Sequence, residues 1–254
     1  NLETMMGMDR LFQLMKEKNA SDMFFAVNSP VHIKINGNLI PINQQKLEPD
    51  NIVSLLAEIA TPEQMRELER DNELNMGISV PNLGRFRLSA FRQRGSISAV
   101  FRFVPANIPA LGDLGLPPVL ADLIMEKRGL LLLVGATGSG KSTTIASMLD
   151  HRNELRAGHI LTLEDPIEYL FKHKKSIVNQ REIGSDARNF QIALKNAMRQ
   201  APDCILIGEI RDQETMAAAL AYAQSGHLVL ATLHANNSYN ALNRIISFYP
   251  IENR

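Results

Sequence analysis

Apolar and polar positions keep two different rhythms along this chain, and the change of rhythm falls in a proline-rich stretch. In the first part, short runs with a two-residue period predict β-strands at MFFAV, VHIKI and NLIPI, with Asn36-Gly37 supplying a tight hairpin turn. Leu11, Leu14 and Met15 at helical spacing predict a helix over Thr4 to Lys18. Pro49 to Ala60 and Pro62 to Asp71 predict two more helices, each opening on a proline near its start. ELNMGISV, GRFRLSAF and ISAVFRFV then read as further strands. Helices segregated from short antiparallel strands predict a small α+β domain.

In the second part the apolar runs are continuous rather than alternating. LLLLVG, HILTLED, SIVNQRE, DCILIGE and HLVLATL are separated by helical stretches such as STTIASMLDHR, NFQIALKNAMRQ and QETMAAALAYAQ. Strands apolar throughout are buried on both faces, and helical crossovers between them predict a mainly parallel sheet of the α/β class. Between the two rhythms, PANIPALGDLGLPP carries four prolines and two glycines, which break regular structure. The expected organisation is therefore a domain over 1–105, a linker over 106–120 and a second domain over 121–254.

Composition narrows the partners. Lys plus Arg equals Asp plus Glu at 27 each, which argues against the global basicity of a dedicated nucleic-acid binder. Apolar residues make up 45% of the chain, ample for real cores, yet the longest apolar run is far too short to span a bilayer. The amino-terminal residues lack a basic region followed by an apolar stretch, so a cytosolic compartment without membrane insertion is expected. Cys204 is alone and lies in an apolar strand, which predicts a buried reduced thiol. The histidines and this cysteine show no HExxH or CxxC spacing, which argues against zinc.

The chemistry begins at LLLLVGATGSGKST, where an apolar strand runs into the GxxxxGK[ST] phosphate-binding loop formed by Gly135, Ala136, Thr137, Gly138, Ser139, Gly140, Lys141, Ser142 and Thr143. Gly135, Gly138 and Gly140 lack the Cβ that keeps backbone from a polyphosphate, so successive N–H groups turn inward as donors. Lys141 supplies a point charge to the β- and γ-phosphates, and Ser142 has the hydroxyl that Mg2+ needs. The helix opened there aims roughly half a positive charge at the same phosphates. ATP is the expected ligand.

Hydrolysis also needs a held metal and an aimed water. Glu209 ends CILIGE, with Gly208 where many phosphate-loop proteins place an aspartate, and Glu164 and Asp165 end HILTLED. Carboxylates at the carboxyl ends of strands neighbouring the phosphate-loop strand would converge on the nucleotide. The plainer alternative is that they cap the next helix. His234 follows the strand HLVLATL where it would face the γ-phosphate, and His227 begins that strand at the far edge of the sheet. Arg85 and Arg87 alternate with Phe86 and Leu88, so the two guanidiniums share one sheet face. That cationic face is either a solvated surface or a source of arginine fingers for a neighbouring subunit.

GATGSGKST, LTLEDPIEY, CILIGEIRD and GHLVLATLHANNS resemble, in order, the Walker A, Asp, Walker B and His boxes of the secretion ATPase superfamily. HKKSIVNQREIG is closer still to the type IV pilus retraction ATPases, the PilT/PilU branch, and SDMFF leans toward its accessory, PilU-type members. The resemblance implies a PAS-like amino-terminal domain and a RecA-like ATPase domain joined by a mobile linker. It implies a homo-hexamer, or a ring shared with a paralogous retraction ATPase, that acts on an inner-membrane pilus platform protein from the cytoplasmic side to power retraction and twitching motility. By position, Lys141 and Ser142 bind nucleotide and Mg2+, Glu164 positions water and Glu209 assists the metal, with the reverse assignment of the glutamates left open. Arg87 and Arg102 are the trans-acting arginines the resemblance suggests. It further implies helices beyond FYPIENR, and a first residue other than methionine fits a trimmed chain. Two other readings compete: a ring subunit that binds ATP with little turnover, and a RecA-like nucleic-acid motor.

Overall fold

In a computed structural model describing residues 6–253, the chain divides into two compact units, 1–105 and 106–254. The first unit opens with α1 (Met8–Glu17), whose Met8, Leu11, Phe12 and Met15 are buried; the Thr4 end of the expected helix lies outside the described residues. Strands β1 (Asp22–Phe25), β2 (His32–Ile35) and β3 (Asn38–Pro41) follow, with β2 and β3 joined at Asn36-Gly37, both in the left-handed region. Next come α2 (Pro49–Ala57) and α3 (Pro62–Asp71), each with proline in its first turn and a reciprocal capping box. The unit closes with β4 (Glu73–Val80), β5 (Gly84–Gln93) and β6 (Ser96–Val104). The antiparallel sheet runs β3-β2-β1-β6-β5-β4.

Its core forms because one face of that sheet is apolar: Phe86 and Phe101 meet Phe12 of α1, with Phe12 and Phe86 ring centroids 4.4 Å apart, and Phe25 packs on Phe101. The alternation that buries Phe86 and Leu88 leaves Arg85 and Arg87 on the other face, and Arg102 stands directly across from Arg87 in register.

The second unit begins with a short turn at Leu111–Leu114 and α4 (Val119–Leu123). Leu111 and Ile124 are buried in the core of this unit. It continues with β7 (Gly129–Val134), α5 (Lys141–Leu155), β8 (Gly158–Glu164), β9 (Ser176–Glu182) and α6 (Phe190–Ala197). It ends with β10 (Cys204–Ile207), α7 (Gln213–Gln224), β11 (Leu228–Leu233) and α8 (Ser238–Ser247). All five strands are parallel in the order β7-β11-β10-β8-β9, the arrangement of a RecA-like α/β core.

Parity along each strand sorts its side chains between two cores. Leu161, Leu163, Ile205, Ile207 and Val229 pack with α6 and α7, whereas Ile160, Cys204, Leu206 and Leu230 pack with Ile145, Met148 and Leu149 of α5. Thr162 and Glu164 share the parity of Ile160 and therefore stand on the α5 side. Cys204 is fully buried, and burial pushes its thiol up to about 12, as expected of an inert structural cysteine.

One expectation needs correction. The phosphate-loop strand β7 has a single partner among the described strands, β11, so β10 and β8, which carry the glutamates, do not neighbour it. The physical route to convergence is different: because every strand is parallel, all the carboxyl ends share one edge of the sheet, whatever their order.

Candidate active site

That edge holds a cavity of about 430 Å³ whose lining comes entirely from the second unit. The phosphate loop forms one wall. Gly138 and Gly140 have φ of 80° and 93°, a region costly for any residue with a Cβ, and the turn they permit delivers the chain into α5. At the start of α5 the cap is Gly140 and no side chain satisfies the first N–H groups, whereas Asn189, Asp212 and Asn237 each cap the helix that follows them. Orphan N–H donors and the positive end of the helix dipole thus face the cavity, a fit for the phosphates of a nucleotide.

Thr137, Gly138, Gly140, Lys141, Ser142 and Thr143 line this cavity. Lys141 Nζ donates to the carbonyl oxygens of Gly135 and Ala136 at 2.6 and 2.8 Å. Those two residues also border a second, more open cavity beside α8, which shares only His234 with the first. Ser139 donates its backbone N–H to the Ala136 carbonyl and closes the turn.

The other wall is acidic. Glu164, at the end of β8, is 7% exposed and accepts hydrogen bonds on Oε2 from Thr162 Oγ1 at 2.6 Å and Gln180 Nε2 at 3.2 Å. Burial pushes its carboxyl up to about 7, only partly offset by these donors and the Glu168 N–H, with the Glu168 charge adding a small upward push. Glu209 lies past β10 and is held between Arg211 Nε at 2.6 Å and His234 Nε2 at 2.9 Å. Neither glutamate nor Asp165 caps a helix, since Asn189 and Asp212 cap α6 and α7. A Cβ on Gly208 would lie 3.0 Å from the Leu163 carbonyl oxygen and 3.3 Å from Glu164 Cα. An aspartate there would push against the backbone that carries Glu164, which explains the glycine.

Lys141, Ser142, Glu164, Glu209 and His234 therefore border one space, with Arg211 beside them. Arg87 and Arg102 do not border it. They lie in the first unit, where Arg102 Nε is 2.8 Å from Asp22 Oδ1. His227 sits at the amino end of β11, bonded to Tyr222 and Ser225. Sequence reasoning gave no role to Thr162, Gln180, Tyr169 or Arg211, although a polar Thr two residues before a strand-end glutamate was a readable signal. Gln180 and Arg211 also fall inside motifs whose order was recognised.

The family model described as "Type II/IV secretion system protein" matches residues 3–249. The type IV pilus ATPase PilU of Pseudomonas aeruginosa is 47% identical over 97% of this chain, and the chain spans 65% of that relative's length. The type IV pilus retraction ATPase PilT of the same organism is 39% identical over 98% of the chain and 72% of its own length. A solved structure titled as the pilus retraction motor PilT with bound ADP superposes with a TM-score of 0.91 at 41% identity, covering 97% of this chain and 72% of that one.

Proposed function

We propose, on the premise that this chain belongs to the family of type II/IV secretion system proteins, that it is the motor portion of an ATPase that powers type IV pilus retraction. The observation that carries this reading is the gathering of Lys141, Ser142, Glu164, Glu209 and His234 around one cavity at the carboxyl edge of a parallel sheet. Lys141 and the N–H groups opening α5 bind the polyphosphate. The Ser142 hydroxyl and the Glu209 carboxylate are hard oxygen donors that would hold Mg2+, and the ion would supply charge neutralisation for the phosphates. Glu164 orients water and accepts its proton, and His234 faces the terminal phosphate from its place against Glu209.

The names of its relatives speak of a type IV pilus and its retraction; in this reading the chain works in a ring at the cytoplasmic face of the inner membrane, against a platform protein of the pilus. Among the described residues no helix is long and apolar enough to cross a membrane. Arg87 and Arg102 complete the site of a neighbouring subunit in this reading, and the 1–105 and 106–254 units move as bodies about the chain that joins them.

ATP hydrolysis measured with and without DNA, and with pilus-machine proteins, tests the proposal. Turnover should depend on Mg2+, ignore DNA, and vanish in Lys141→Ala while the fold survives. Undiminished hydrolysis by that variant would sink the phosphate-loop assignment; stimulation by DNA would favour a nucleic-acid motor. Glu164→Gln should still bind ATP yet stop hydrolysis.

A further inference from the structure

Glu164 is buried, but its two oxygens are not equivalent. Thr162 Oγ1 and Gln180 Nε2 both donate to Oε2. The register makes this possible: Thr162 precedes Glu164 by two residues on the same face of β8, and Gln180 of β9 stands directly across from Thr162. The Gln180 amide is also fully engaged elsewhere, donating to the Tyr169 carbonyl at 2.7 Å and accepting the Phe171 N–H at 3.0 Å. Flipping it would set its oxygen against two acceptors, so its orientation is fixed. Glu182, across from Glu164 in register, accepts the Ile167 N–H at 3.1 Å, and the Tyr169 hydroxyl lies 2.9 Å from Thr143 Oγ1 in the first turn of α5. The loop after Glu164 is thus pinned to β9 at three backbone positions and to the phosphate-loop helix at one side chain.

We infer that Thr162 and Gln180 are positioning residues for Glu164: their two side-chain donors hold Oε2 and stabilise the ionised carboxylate that takes the proton from water. This rests on the reading of Glu164 as proton acceptor. Such donors matter here because the surroundings otherwise oppose ionisation. Asp165 and Glu168 come from the adjoining loop and Glu209 from beyond β10, while Lys141, Arg211 and His234 bring positive or titratable groups to the same cavity. Direct donors to the carboxylate favour its charged form where burial disfavours it.

The test is the pH dependence of kcat/KM for Mg-ATP in the wild type, Thr162→Val, Thr162→Ser, Gln180→Met and Glu164→Gln. A second readout is the titration of the Glu164 carboxyl, followed by 13C NMR as the difference from Glu164→Gln. Thr162→Val touches only the donor, so the acid limb and the carboxyl titration should both move up by about one pH unit, lowering kcat/KM at pH 7 roughly fivefold. Gln180→Met should shift both the same way, and Thr162→Ser, which keeps the hydroxyl, should restore the wild-type profile. A uniform loss of activity with limb and titration unmoved would assign these residues to structure alone and overturn the inference, with the role of Glu164 intact. Wild-type turnover by Glu164→Gln would remove the reading of Glu164 and the inference together.

Discussion

Glu164 illustrates how one residue links folding to chemistry. Its carboxyl titrates at about 7 in the fold against 4.5 for the free group, so between those values the folded state binds more protons than the unfolded one. The Glu164 contribution to stability is therefore greatest below about pH 4.5 and is lost as pH rises through about 7, by up to about 3 kcal/mol. Glu164→Gln removes this dependence. Urea unfolding of the second unit at pH 5 and pH 8 should show the variant gaining relative to wild type as pH rises; a constant difference would mean that Glu164 is not strained by burial. Gly208 gives a second residue-scale expectation. Gly208→Ala must displace the backbone at Leu163 and Glu164, costing about 1 kcal/mol and lowering turnover more than nucleotide affinity. Equal losses in both, read from kcat and a binding isotherm, would contradict that account. Lys141 and Ser142 were legible in the sequence because their chemistry is local to one turn. The grip of Gln180 on Glu164 was not, since it depends on which strand lies beside β8.

At the scale of elements, the sequence disclosed strands and helices through their periods but not the order of the sheet. Continuous apolar runs in β8, β10 and β11 mark burial on both faces, whereas the equally apolar β7 stands at the end of the described sheet and is only partly buried, and nothing in these runs says that β11 would come between β7 and β10. The far end of α5 was equally hidden. Arg152, one of the few buried charged residues, donates Nη1 to the carbonyls of Ile124 at 2.7 Å and Glu126 at 2.9 Å, and Arg156 reaches the Met125 carbonyl. Asn153 likewise donates to the Lys172 carbonyl and accepts the Lys174 N–H. The helix that begins at the phosphate loop is thereby fastened at its other end to the turn after α4 and to the loop before β9. Arg152→Met fills similar volume but strands those carbonyls, so it should cost about 2 to 3 kcal/mol. Urea unfolding checks this, and ATP affinity per folded molecule should stay near wild type because the phosphate contacts are a full helix away.

At the scale of the whole molecule, the arginines and the cavity fall in different units: Arg87 and Arg102 in 1–105, and the cavity lining in 106–254. An arginine from the first unit of one subunit completing the cavity of the next would make each site dependent on a neighbour, and nucleotide binding would then draw separate bodies together. The two arginines are not equal tests. Arg102 pairs with Asp22, whose side chain is 8% exposed, so Arg102→Ala also costs the first unit about 1 kcal/mol, and its loss of turnover mixes two causes. Arg87 stands across from Arg102 and Gly77 on the half-exposed face, which makes Arg87→Ala the cleaner variant. Specific activity should rise with protein concentration as rings form, and Arg87→Ala should lower turnover by about a thousandfold or more, on the order of what a trans arginine contributes. The deciding experiment mixes Arg87→Ala with Lys141→Ala, each nearly inactive alone. Sites that pair an intact loop with an intact arginine should regain hydrolysis in mixed rings. Absence of recovery, with mixed assembly demonstrated by mass measurement, would place Arg87 in its own subunit's site or in the structure of its sheet.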